Sequence, residues 1–202
     1  MPNEPVVTVR GLKVSKFASQ ETLCFEATVL IDGVVAGVAS NQGTGGANFY
    51  RPHTLQTRLT EIASTWPDVV VEDFVVGPGK TERFTYRPDA DSVVDKAVQD
   101  LLAEKDLKRL LKSNVLLLDV DGDIVAMKPS RPPAGGISPS FIPAAIRTHR
   151  KEVVAALNAL PFEEALRAFR DPAGYIKAQR AARPGSDQPE PSSVTRATGP
   201  RG

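Results

Sequence analysis

The chain predicts an α+β fold: an antiparallel sheet of hairpins packed with amphipathic helices, then a helical C-terminal unit and a disordered tail. Three observations carry this. Leu23, Phe25, Ala27, Val29 and Ile31 alternate without a break, the period of a strand with one buried face. Asp32-Gly33 follows, and it supplies the left-handed backbone angles of a tight hairpin turn. Residues 91–112 carry Val94, Val98, Leu101, Leu102, Leu107, Leu110 and Leu111 at helical spacing.

In chain order, Pro5–Val14 reads as a first strand and Glu21–Ile31 with Val34–Ala39 as a hairpin. One apolar and one mixed face is the signature of antiparallel pairing. A loop, Asn41-Gln42-Gly43-Thr44-Gly45-Gly46-Ala47-Asn48, comes next. Thr54–Trp66 is an amphipathic helix with Leu55, Leu59, Ile62 and Trp66 on one face, stopped by Pro67. Val69–Val76 and Thr81–Arg87 read as strands about Gly77-Pro78-Gly79. Asp91 is placed to cap the long helix that ends near Lys112. Val115–Val120 and Asp123–Lys128 read as a second hairpin about Asp121-Gly122.

Pro129–Pro139 is rich in proline and glycine and reads as a connector. Beyond it, Ser138 is a candidate N-cap with Pro139 at the first helical position. Ile142, Ile146, Val153, Val154, Leu157 and Leu160 form a helical stripe, followed by a helix at Phe162–Arg170. Asp171-Pro172 breaks that helix and starts another running to about Ala182. Residues 184–202 hold almost no apolar side chains and predict disorder. The expected organisation is a sheet domain at 1–129, a connector at 130–139, a helical unit at 140–183 and a tail at 184–202.

Composition limits the function classes. No run of eighteen apolar residues exists, so no membrane-spanning helix is expected. The start, MPNEPVVTVR, lacks the basic and apolar regions of a secretory signal, and the single cysteine suits a reducing cytoplasm. Residues 1–127 carry 13 Lys/Arg against 18 Asp/Glu, whereas residues 128–202 carry 12 against 6. Arg147, Arg150 and Lys151 in the basic part are the candidates for nucleic-acid contact. Their interleaving with Glu152, Glu163 and Glu164 reads more simply as a solvated helix face.

The glycine loop is the candidate ligand site: Asn41, Gly43, Gly45, Gly46, Asn48, Arg51 and His53. Such a backbone can aim several N–H groups at an anion, and the start of the Thr54 helix would add partial positive charge. Neither a dinucleotide fingerprint nor a phosphate-binding Gly-Lys-Ser/Thr loop is present. The alternative reading is a plain mobile loop.

The N-terminal residues resemble a group of short proteins of bacteria, phages and mobile elements. The shared pattern rests on Lys13, Lys16, Ala18, Ser19, Glu21, Thr22, Cys24, Phe25, Ala27, Asp32, Gly33, Asn41, Gly43, Gly45 and Gly46, about the first fifty residues. That resemblance implies a phage or mobile-element origin, and a binding protein of such origin would have a host or phage protein as partner. It implies no activity and no catalytic residues.

Catalytic readings fail on inspection. Asn114-VLLLDVDGD resembles the first motif of haloacid-dehalogenase-type phosphatases, with Asp119 as nucleophile and Asp121 as general acid. Asp123 stands where Thr or Val belongs, and no downstream acidic pair follows. A calcium loop fails too, because its glycine belongs at the sixth position and Gly122 is fourth from Asp119. Cys24, His53 and His149 are too scattered to predict a zinc site or an activated thiol. The expectation is a non-enzymatic binding or accessory protein without metal or cofactor; the alternatives are a small-ligand or nucleotide binder using the glycine loop, and a nucleic-acid contact through the basic helices.

Overall fold

The computed structural model describes residues 4–129, 137, 139–149 and 151–182. The fold is α+β, with antiparallel sheets and α-helices. The chain forms two compact units, Met1–Arg109 and Leu110–Gly202.

In the N-terminal unit, β1 (Val7–Val14), β2 (Phe25–Ile31), β3 (Val34–Asn41) and β4 (Phe49–Arg51) form an antiparallel sheet in sequence order. The expected hairpin is present in register, with Ile31 opposite Val34 and Ala27 opposite Ala39. Asp32 (φ 51°) and Gly33 (φ 77°) take the two left-handed positions of the turn. Asp32 also ties the turn to β1, since its carboxylate accepts from the Val6 N–H at 2.9 Å.

The alternation in β2 does what it predicts. Phe25, Ala27, Val29 and Ile31 are buried and pack with Val9 and Ala39, while Leu23 is partly buried against them. The same core receives Leu55, Leu59, Ile62 and Ala63 of α1 (Thr54–Ala63). It also receives Ala90, Val93, Val94, Ala97 and Val98 of α2 (Ala90–Ser113), with Leu101 and Leu102 partly buried. Helix α1 ends three residues before the expected Trp66. Thr65 and Trp66 bond three residues back, to Ile62 and Ala63, so the last turn tightens ahead of Pro67.

The cap of α2 is Asp89, not Asp91: its Oδ1 accepts from the Ser92 N–H at 2.9 Å. Asp91 lies in the first turn and faces the glycine loop instead. Between the two helices, β5 (Val69–Gly77) and β6 (Lys80–Tyr86) form the expected hairpin as a separate two-stranded ribbon.

The C-terminal unit corrects two expectations. Its sheet runs in the order β8-β7-β9, built from β7 (Val115–Asp119), β8 (Ile124–Met127) and β9 (Val153–Ala156). The hairpin β7–β8 was expected, but it belongs with the residues that follow it. The division falls after Arg109 rather than at 129, because β9 pairs with β7.

The second correction is β9 itself. The stripe Ile142–Leu160 is not one helix: α3 (Phe141–Thr148) ends before His149, whose backbone is extended. Strand β7 is buried on both faces and needs hydrogen-bond partners on both edges. The adjoining β-branched pair Val153-Val154 supplies the second edge, and tertiary pairing overrides the helical spacing. Val115 and Leu117 pack against Ala145 and Ile142 of α3.

After a 3₁₀ turn at Leu157–Ala159 come α4 (Phe162–Arg170) and α5 (Pro172–Ala181), close to expectation. Asp171 caps α5 through its Oδ1, which accepts from the Gly174 N–H at 2.9 Å. The expected cap Ser138, most of the connector and the tail at 184–202 lie outside the described residues.

Candidate functional site

The glycine loop is organised by Asn41, the last residue of β3, which is only 8% exposed. Its Oδ1 accepts from the Thr22 hydroxyl (2.7 Å) and the Gly43 N–H (2.8 Å). Its Nδ2 donates to the Gly46 carbonyl and to Asn48 Oδ1, both at 2.9 Å. Every hydrogen-bonding position of that amide is therefore used. The Gly43 carbonyl accepts from the N–H groups of Gln20 and Glu21, at 2.8 and 3.0 Å. The preceding segment and the loop are stitched into one body.

Asn48 carries the network to α2. Its N–H donates to Asp91 Oδ2 and its Nδ2 to Asp95 Oδ1, each at 3.0 Å. Tyr50 donates its hydroxyl to Asp91 Oδ1 at 2.6 Å. Burial, then this bond to Asp91, push the Tyr50 phenol far above its ordinary range, so it stays a donor. Asp91 and Asp95 are one helical turn apart, so both carboxylates reach the same side of the loop.

These groups line a cavity of about 260 Å³, with Thr22, Asn41, Asn48, Asp91 and Asp95 as its polar wall and Phe25 and Val98 as its apolar one. The wall is acidic. The Gly43 and Asn48 N–H groups are already taken by Asn41 and Asp91 within the chain. An anion cradle would need those donors free. The strand β4 also separates the loop from α1, so the helix N-terminus does not follow the glycines directly.

Partial desolvation raises the Asp95 carboxyl, the bond from Asn48 offsets part of that, and the neighbouring carboxylate Asp91 adds to the rise. A raised carboxyl binds its proton more tightly folded than unfolded. Wild-type stability from this group thus falls as pH rises from the ordinary value of 3.8 through the raised one. Asp95→Asn keeps an acceptor for Asn48 and removes the charge that faces Asp91. It should raise the melting temperature by only about 1–2 °C at pH 7, because solvent screens so exposed a side chain, and the gain over wild type should vanish at acidic pH. Paired melts across pH 3–8 check this; a gain independent of pH would show that Asp95 ionises without cost.

The structure brings Asn41, Gly43, Gly46 and Asn48 together and sets Arg51 and His53 apart. Arg51 lies on β4, 3.9 Å from Glu26, and borders a different hollow with Ser40, Gln42, Phe49 and Tyr50. His53 is exposed at the start of α1. Asp91 and Asp95 escape a sequence reading because more than forty residues separate them from Asn48. Their spacing of four on a helix is the local signal.

The basic candidates also separate. Arg147 is exposed in the last turn of α3, and Arg150 lies outside the described residues. Lys151 is engaged: its Nζ lies 2.8 Å from Asp121 Oδ2, 3.0 Å from Asp123 Oδ2 and 3.5 Å from Asp119 Oδ2. Asp121, and then Asp123, hold its ammonium above the ordinary lysine range.

Asp119 is fully buried at the end of β7, its Oδ1 accepting from the N–H groups of Asp121 and Asp123 at 3.0 Å each. Burial raises its carboxyl, but those two N–H bonds and Lys151 outweigh that and leave it below the usual carboxylate range. His149 Nε2 sits 3.6 Å from Asp119 Oδ2. Comparison with protein-family models, curated proteins and solved structures finds no match to this chain.

Proposed function

We propose that this chain is a non-enzymatic binding protein whose contact element is the β5–β6 ribbon, and that its partner is another polypeptide docking as an extended apolar strand along β5. One observation carries this reading. Val70, Phe74, Val75, Val76, Phe84 and Tyr86 are 41–70% exposed on a single two-stranded ribbon. A lone hairpin is marginal in water, and apolar exposure of this extent marks an interaction surface.

The two edges differ. Strand β6 carries Lys80, Glu82 and Arg83, the kind of charges that guard a free edge. Strand β5 carries Glu72 and Asp73 and two irregularities in its pairing, but Val69–Val71 is an uninterrupted valine run, which favours strand addition there. Phe74, Phe84 and Tyr86 form an aromatic stripe, with ring centroids 5.6 and 6.0 Å apart, that would seat the incoming side chains. A nucleic acid fits poorly, since the ribbon carries both charge signs and Arg83 is paired with Glu72 at 3.5 Å.

Val75 is 70% exposed, so Val75→Lys should leave the circular dichroism spectrum unchanged. Peptides selected on the full chain from a random display library should be rich in alternating apolar residues. They should bind Val75→Lys at least tenfold more weakly and protect β5 amides from hydrogen exchange. Equal binding by the variant would overturn the reading. So would a wild-type dimer that Val75→Lys splits, because the occupant would then be a second copy.

A further inference from the structure

We propose that Asp119, Asp121, Asp123 and His149 form a binding site for a divalent transition-metal ion of the Mn²⁺ or Zn²⁺ kind, which displaces the Lys151 ammonium from the same place. The site belongs to the C-terminal unit and does not depend on the ribbon reading.

The three carboxylates are already gathered, and His149 stands beside Asp119, outside their group. One oxygen from each of the three carboxylates lies within 4.8 Å of the others. Oxygens bound to one cation at 2.0–2.6 Å are separated by about 3–5 Å across its coordination sphere. The loop builds this arrangement from its backbone. Asp119 Oδ1 is fixed by the N–H groups of Asp121 and Asp123, so Oδ2 alone faces the cluster.

The second observation brings in His149, which lies outside the acidic loop. Asp119 Oδ2 and His149 Nε2 are both buried, and neither has a hydrogen-bond partner; Oδ2 has only the Lys151 ammonium at 3.5 Å as its counter-charge. They face each other at 3.6 Å, with the Asp119 side chain 0% and the His149 side chain 13% exposed. That separation is too long for a hydrogen bond. It suits two ligands of a common ion, because a nitrogen at about 2.0–2.1 Å and an oxygen at 2.0–2.2 Å subtend about that distance. Buried polar atoms without partners are rare in folded proteins and call for a cause.

Lys151 reveals the sign of the site. Its ammonium sits among all three carboxylates, yet one positive charge faces three negative ones. A dication balances the remainder better. Lys151 is 46% exposed on a long stem and can swing into solvent. The imidazole decides the class: carboxylates alone suit Mg²⁺ or Ca²⁺, while a nitrogen ligand favours a transition metal. The glycine in the fourth position of the loop also excludes the standard calcium geometry.

The test uses the full chain, stripped with chelator and dialysed. Titration with MnCl₂ by electron paramagnetic resonance, and with ZnCl₂ by calorimetry, should show one ion per chain. Lys151→Met should bind at least tenfold more tightly than wild type, because the competing cation is gone. His149→Gln and Asp121→Asn should each bind at least tenfold more weakly, and 1 mM Ca²⁺ should not displace Mn²⁺. Circular dichroism checks each variant; Lys151→Gln replaces Lys151→Met if the latter is misfolded. Absence of sub-millimolar binding in both wild type and the Lys151 variant would overturn the proposal. Unchanged affinity in His149→Gln would overturn it as well, since the ion would then be held elsewhere.

Discussion

Gly43→Ala should lower the melting temperature of the full chain by about 10 °C or more, while Gly46→Ala should leave it within about 2 °C of wild type; a loss of about 3 kcal/mol moves a chain of this size by that much. Gly43 has φ +85°, a region where a Cβ costs about 1–2 kcal/mol. A Cβ there would also strike the Ala18 carbonyl oxygen and meet Cys24 Cβ at 2.8 Å. Overpacking of that sort adds about 1–3 kcal/mol. The backbone cannot move aside, because its carbonyl and N–H are both bonded, to Gln20 and Glu21 on one side and Asn41 on the other. At Gly46 a Cβ meets nothing within 4 Å and φ is unexceptional. Differential scanning calorimetry of the two variants decides it. Equal melting would mean that the loop is loosely held and that the stitching around Asn41 carries little stability.

The pair also marks what the sequence could and could not disclose. Three glycines in four positions announce an unusual backbone path, but not which of them the path requires. Gly43 and Gly45 take positive φ, and Gly46 does not. The requirement comes from Ala18, Glu21 and Cys24, which approach only after β2 and β3 have paired. Local signals were sufficient where the cause is local. Alternation and Asp-Gly specify the β2–β3 hairpin, Asp121-Gly122 the β7–β8 hairpin, and Asp171-Pro172 the break before α5.

They failed where a distant partner decides. Asp91 has the composition of an N-cap, yet Asn48 and Tyr50 claim it from more than forty residues away, and Asp89 caps the helix instead. Val153-Val154 fits a helical stripe until the open edge of β7 requires a strand. Lys151 reads as a solvated cation, and only the sheet brings it to the Asp119 loop. The acidic cavity beside Asn41 has the same origin: its neutral half is in the loop, and its carboxylates come from α2.

Asn158→Ala should destabilise the C-terminal unit by about 2–4 kcal/mol, because it orphans a buried donor and an acceptor at about 1–3 kcal/mol each. Strand β9 pairs with β7 only at Leu117, Leu118 and Asp119. Toward the start of β7 its edge would be bare. Asn158, in the 3₁₀ turn after β9, fills that gap with its side chain. Its Oδ1 accepts from the Leu116 N–H at 2.8 Å, and its Nδ2 donates to the Asn114 carbonyl at 3.0 Å. One amide thus supplies two bonds of the missing strand, across forty-two residues from Leu116. Leu116 is fully buried, so water cannot replace the lost acceptor without opening the sheet. The measurement is native-state hydrogen exchange on the full chain. The Leu116 amide should exchange at least about thirtyfold faster in Asn158→Ala, the factor that 2 kcal/mol corresponds to. The β2 amides should be unchanged, since they lie in the other compact unit. Unaltered protection at Leu116 would show that the strand edge is satisfied without Asn158, and the account of why β9 can be so short would fail with it.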